Sequence, residues 1–194
     1  MALRPSLPIV TERLLLRAYT EDDYDAFASI QSRDDVHRYL YTEAGGPEEI
    51  RAVLRARMTR TAIERENDAI TLALELRDGG ALAGDVSFWW RSAVHQTGEI
   101  GFLLHPDHHG RGYAREAAEV MLRLGFEGLD LHRVIGRCDG RNAASARLME
   151  RLGMRREAHL RENEWVKGEW TDELVYAILR REWEARRDGR GYVP

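Results

Sequence analysis

Apolar positions along the chain follow two different periods. Short β-rich runs occur at Arg13-Leu14-Leu15-Leu16-Arg17, Ala69 to Leu76, Ala81 to Trp90, Glu99 to Leu104 and Arg133 to Cys138, each too short for a stable helix. Between them, Ile50, Leu54 and Met58, and later Ala114, Ala117, Ala118, Met121 and Leu122, recur at the spacing of one helix face. The punctuation agrees. Thr20 with Asp23 approximates a capping box, and Pro47-Glu48-Glu49 opens a second helix, which the pattern carries to Glu66-Asn67-Asp68. Asp78-Gly79-Gly80 predicts a hairpin turn, because these residues accept positive φ. Asn142 to Leu152 reads as a helix stopped by Gly153, and Met154 to Val166 and Trp170 to Ile178 form a closing hairpin around Lys167-Gly168. The charged tail starts helical at Arg180. With no repeat or linker, the expected architecture is one α/β (α+β) domain over residues 1–180, with tail 181–194. It has a mixed sheet of about seven strands and helices on both faces.

Composition narrows the function classes. A chain of 194 residues, 43% hydrophobic and 32% charged, has material for one substantial core. No apolar run approaches the ~18 residues of a membrane span, and Met1 to Val10 lacks the ~7–15-residue apolar segment of a secretory signal. The lone Cys138 has no partner for a disulfide or a zinc pair, so a reducing cytoplasm is expected. Net charge is −4 with both signs interspersed, which argues against nucleic acid as ligand. A local site for a small phosphorylated molecule remains open, since it needs only a few converging donors.

One stretch has the form of such a site. A strand ending Phe102-Leu103-Leu104 runs through His105-Pro106-Asp107-His108 into His109-Gly110-Arg111-Gly112, and a helix begins at Tyr113-Ala114. A glycine loop opening a helix presents unpaired N–H groups and the positive end of the helix dipole, which suit a pyrophosphate. The dinucleotide fingerprint fails, because Arg115 stands where its third Gly or Ala belongs, and no Gly-Lys-Ser/Thr of a P-loop is present. His105, His108 and His109 carry no metal motif, since Pro106 breaks helical spacing and no carboxylate-plus-histidine pattern accompanies them; no metal is expected.

The glycine loop resembles the acyl-CoA-binding motif of the GNAT superfamily of N-acyltransferases, and the wider chain is similar to its RimJ/RimL branch. Thr11-Glu12-Arg13-Leu14, Gly98-Glu99-Ile100-Gly101, His105-Pro106-Asp107, Gly110-Arg111-Gly112-Tyr113-Ala114, Leu131-His132-Arg133-Val134, Asn142-Ala143-Ala144-Ser145, Leu152-Gly153-Met154 and the Glu164 to Asp172 hairpin occur in family order. Two departures stand out: Asp107 replaces a usual Gln or Arg, and Leu148 and Met149 occupy the region where many members place a Tyr general acid. The resemblance implies a GNAT-like, mostly antiparallel sheet and transfer of an acetyl group from acetyl-CoA to a primary amine, a protein N-terminus or small amine. It implies donor contacts from the backbone of Phe102, Leu103 and Leu104, from residues 109–114, and from Asn142 and Ser145. Ser145 would protonate the departing thiolate, and either Glu99 or Glu164 would serve as base. A homodimer is a further implication. A non-catalytic acyl-CoA sensor, or transfer of another acyl group such as succinyl, remains open at this stage.

Overall fold

The computed structural model describes residues 2–189. A single sheet of eight strands runs in the order β1-β2-β3-β4-β5-β6-β8-β7. The strands are β1 (Ile9–Val10), β2 (Leu14–Arg17), β3 (Ala69–Leu76), β4 (Leu82–Ser92), β5 (Thr97–Leu104), β6 (Arg133–Asp139), β7 (Arg155–Val166) and β8 (Glu169–Leu179). Six α-helices accompany them: α1 (Tyr24–Gln31), α2 (Asp34–His37), α3 (Pro47–Met58), α4 (Tyr113–Arg123), α5 (Ala143–Arg151) and α6 (Arg180–Arg187). The expected count of seven strands is one short. The addition is β1, two residues that pair Ile9 with Leu16 and Val10 with Leu15 and are too few to show any period. Helix α3 also stops earlier than its sequence suggests, at Met58, because Ile63 pairs with Leu3 and is fully buried there. That contact spans sixty residues, so no local pattern announces it.

Two apolar layers cover the sheet. On one face Tyr19, Phe27, Ile30, Ile50 and Leu54 pack from α1, α3 and the chain before them against Ala73 and Leu82. On the other, Ala117, Ala118, Met121 and Leu122 of α4 and Met149 of α5 join the larger core with Phe88, Ile100 and Val134. Thr20 and Asp23 do close a capping box, although the first turn it opens is 3-10 (Glu21–Asp23) before α1 begins. Of the segment from 181 onward, Trp183 is buried and stacks on Phe126 at 5.1 Å, so α6 is anchored to the body; residues 190–194 lie outside those described.

The sheet opens in its middle. All neighbours are antiparallel except β5 and β6, which run parallel and pair only from Thr97↔Arg133 to Ile100↔Gly136. Past that point β5 stays with β4, as far as Leu104↔Gly84, while β6 stays with β8, as far as Asp139↔Glu173. The backbone edges of residues 101–103 and 137–139 that face the gap therefore have no strand partner. Gly84 holds β4 against the free end of β5: a Cβ there would lie 2.1 Å from the Leu103 carbonyl oxygen, so only glycine permits the approach.

Candidate active site

The gap is flanked by two helix N-termini, both on connections that leave the diverging parallel strands. Such a crevice at the carboxyl ends of parallel strands is where open α/β sheets receive ligands. From Leu104 the chain makes a 3-10 turn at Pro106–His108, with the His105 ring accepting from the Asp107 N–H at 3.2 Å. Gly110 and Gly112 take φ of 73° and 83°, and Gly112 is the N-cap of α4. These left-handed values let the loop reverse and point its amides outward. Among the described residues, the N–H groups of Gly110, Arg111, Gly112, Tyr113, Ala114 and Arg115 meet no protein acceptor, whereas Glu116 N–H closes on the Gly112 carbonyl at 3.1 Å. The result is a ring of donors at the positive end of an 11-residue helix. Phe102 and Leu103 send their side chains into opposite cores, leaving backbone to face the gap.

This loop is tied down by a clamp that sequence reasoning noted only as a short motif. Glu116 accepts from the Thr11 hydroxyl (2.6 Å), the Arg13 amide (2.8 Å) and the Arg13 Nε (2.8 Å), and Arg13 also donates to the Arg111 carbonyl (2.7 Å). The Arg13 guanidinium lies 5.0 Å from the centre of the Tyr113 ring. Burial alone would raise the Glu116 carboxyl, but the three donors outweigh it and hold it below the usual carboxylate range. The partners are more than a hundred residues apart, so only the pairing of β1 and β2 beside α4 brings them together.

The second helix mouth belongs to α5. Asn142 caps it, its Oδ1 accepting from Ser145 N–H at 3.0 Å, which satisfies the N-cap reading of that residue. The Ser145 hydroxyl has no protein partner among the described residues, and Met149 is buried in the core. Behind the gap, Cys138 is a buried free thiol, pushed up to about 11 by burial and by Asp139 and Glu173.

On the α1/α3 face the strand registers assemble a polar row. Glu99 is buried, with Oε2 accepting from Arg91 Nε at 2.7 Å and Oε1 from Arg137 Nε at 3.1 Å. Arg137 continues to Glu173 Oε1 at 3.4 Å, and the Tyr41 hydroxyl donates to the same oxygen at 2.9 Å. Burial would lower the Arg137 guanidinium, but Glu99 and Glu173 raise it above its ordinary value. The Tyr41 phenol is raised as well, by burial and then by Glu173, so it remains a donor. Asn163 Nδ2 lies 3.2 Å from both Glu173 Oε2 and Glu164 Oε1, which brings the second predicted carboxylate into the row. The Trp89 ring covers Gly101, where a Cβ would approach it to 2.9 Å, and the Arg91 guanidinium sits 5.3 Å from the Trp89 ring. Arg91, Arg137, Glu173, Asn163 and Tyr41 were not singled out by the sequence as parts of one site.

The three histidines of the loop do not converge. His109 Nε2 is 3.1 Å from the Leu104 carbonyl oxygen, while burial and then the nearby His105 and Arg111 hold the His108 imidazole below its usual value. Among the described residues no group of three His, Cys, Asp or Glu is placed to hold a metal. Among the described residues no helix is long and apolar enough to cross a membrane.

A strand, a free-amide helix mouth and an opened parallel pair define a cleft for an extended, phosphate-bearing ligand, and comparison with known proteins identifies the fold. Residues 13–155 match the model of the acetyltransferase (GNAT) domain, so the chain belongs to the GNAT acetyltransferase family. It is 34% identical over 175 residues to the "Uncharacterized N-acetyltransferase YnaD" of Bacillus subtilis (strain 168), covering 90% of this chain and 98% of that protein. Among solved structures it resembles a GNAT-family acetyltransferase from Bacillus anthracis, with a TM-score of 0.79 and 32% identity over 94% of this chain and 100% of the other. The fold also matches spermidine N-acetyltransferase from Vibrio cholerae, solved with CoA and spermine, at a TM-score of 0.75 and 22% identity, covering 90% of this chain and 99% of that one. The residues present fit the family's acetyl-CoA: six unpaired amides at the α4 mouth suit its pyrophosphate, and the open strand edges suit its amide-bearing arm.

Proposed function

We propose that the protein, as a RimJ/RimL-like enzyme, transfers an acetyl group from acetyl-CoA to a primary amine by direct attack, with Glu164 as the base. The observation that carries this reading is the pairing of a donor-type helix mouth with a carboxylate row across one sheet gap. Bound acetyl-CoA supplies a carbonyl carbon made electrophilic by a thiol leaving group. Amides of residues 110–115 hold its phosphates, the His109 amide being already bonded to the Pro106 carbonyl, and the backbone of Phe102, Leu103 and Leu104, together with the Asn142 side chain, orients the arm in the gap. One strand N–H there stabilises charge on the carbonyl oxygen.

Glu164 accepts the proton that the attacking amine loses as its nitrogen bonds to carbon, directly or through one water. Its Oε1 accepts from Asn163, and its Oε2 has no protein partner among the described residues. Glu99 is the weaker choice, because both its oxygens already accept guanidinium N–H groups and would have to shed an arginine first. As the carbon–sulfur bond breaks, the Ser145 hydroxyl gives its proton to sulfur and regains one from solvent.

For the acceptor, the excess of carboxylates over guanidiniums in the row favours a cationic amine, whether polyamine or protein N-terminus. A protein of the same fold named for spermidine is in keeping with that. The remaining parts of the reading are one acyltransferase domain over 1–180, a cytoplasmic location suited to the free Cys138, and a homodimer using the exposed Leu160, Trp165 and Trp170 of the last hairpin. Thiol release from acetyl-CoA with spermidine, spermine and short peptides of free N-terminus tests the activity, and light scattering the dimer. No turnover with any of these amines, together with no calorimetric heat on adding acetyl-CoA, would overturn the proposal.

A further inference from the structure

Glu164 and Glu173 lie on one face of the last hairpin, and between them β7 departs from regular pleating. Across the hairpin Leu160 pairs with Glu173 and Glu164 with Thr171, so three residues of β7 stand opposite one of β8. Glu162 takes a positive φ of 48° within this bulge, and Asp172 Oδ1 accepts its N–H at 2.9 Å. His159 Nε2 lies 2.6 Å from the other Asp172 oxygen, which fixes the bulge from its far side. In an unbroken strand, neighbours 163 and 164 would point to opposite faces. Here the Asn163 side chain turns toward the same face as Glu164 and lies between two carboxylates, 3.2 Å from each.

Resting on the reading of Glu164 as base, we infer that Asn163 is a positioning residue for it. The bulge delivers one amide nitrogen that fixes the Glu164 rotamer, leaves Oε2 open toward the acceptor amine, and couples the base to the Glu173–Tyr41–Arg137 group. One nitrogen with two N–H bonds can serve both carboxylates at once, one hydrogen to each. An aspartate at 163 would keep the shape and reverse this, replacing a neutral donor with a third negative charge. Asn163 is solvent-accessible and lies in no core cluster, so its replacement leaves folding intact.

The test uses the full chain, acetyl-CoA and the fastest amine found among spermidine, spermine and N-terminal peptides. Asn163→Asp is expected to lower kcat about tenfold with the KM for acetyl-CoA unchanged, and to move the acidic limb of kcat/KM upward by roughly one pH unit. Asn163→Ala should lower kcat by about threefold to tenfold, with Asn163→Gln recovering part of the loss. In a Glu164→Gln background, Asn163→Asp should have no further effect. A limb that stays in place in Asn163→Asp, or losses that multiply in the double variant, overturns the inference while leaving Glu164 as base. A Glu164→Gln enzyme with unaltered kcat overturns the base assignment and this inference with it, as does a wild-type chain inert toward every amine tried.

Discussion

The two sides of the sheet gap are built from different materials. On the side proposed to hold the donor, the groups on offer are main-chain amides at the mouth of α4, positioned by two left-handed glycines and a clamp from Thr11 and Arg13. On the acceptor side they are side chains, Arg91, Glu99, Arg137, Glu173, Asn163 and Glu164, drawn from five segments and held by one another. A backbone site is indifferent to most substitutions and intolerant of a few. A side-chain row can change its charge pattern with single substitutions and leave the sheet alone. On the proposed reading, donor binding follows from the fold, and the acceptor is chosen by residues the fold merely carries.

Substitutions on each side should separate accordingly. Glu164→Gln is expected to reduce kcat about a thousandfold while the calorimetric Kd for acetyl-CoA stays the same; a parallel loss of donor affinity would mean the two sides are not independent. Gly112→Val should do the reverse, weakening acetyl-CoA binding about a hundredfold, since a β-branched residue at that φ must swing the α4 amides away. Ser145→Ala is expected to lower kcat about tenfold without changing donor Kd, and an unchanged kcat would remove Ser145 from the chemistry.

The smallest effect concerns the clamp. Glu116→Gln should cost about 1–2 kcal/mol in urea unfolding at neutral pH, by weakening a largely buried carboxylate's bonds to Thr11 and Arg13. Because the folded carboxyl lies below its unfolded value, this stabilisation is present above the unfolded value and disappears as pH falls through the folded one. As pH falls from the unfolded carboxyl value through the lower folded one, the wild type should therefore lose stability more steeply than Glu116→Gln, and identical slopes would assign the clamp no electrostatic part.

The same contrast explains what could be read in advance. The donor loop lies within a short contiguous stretch from Phe102 to Ala114, and strand, glycines and helix start are all sequence neighbours, so local chemistry was enough to place them. Nothing local links Glu99 to Arg137 or Tyr41 to Glu173, since their meeting depends on the β5–β6 register and on a loop folding over β8. Long-range pairing is also what hid β1 and the early end of α3. Nor does any local period announce that the Trp165 and Trp170 rings meet edge to face at 5.3 Å at the hairpin tip and remain 60% and 58% exposed.

The parting of β5 from β6 after Ile100 has one more consequence. An interior sheet normally spends its hydrogen bonds on itself, whereas here the edges of residues 101–103 and 137–139 have no strand partner, which is where the proposed amide-bearing arm of the donor would pair. Such a guest would complete the ladder rather than sit on top of it. Amide exchange at residues 101–103 should then slow on loading while the outer strands exchange as before, making the ligand, for as long as it stays, a piece of secondary structure.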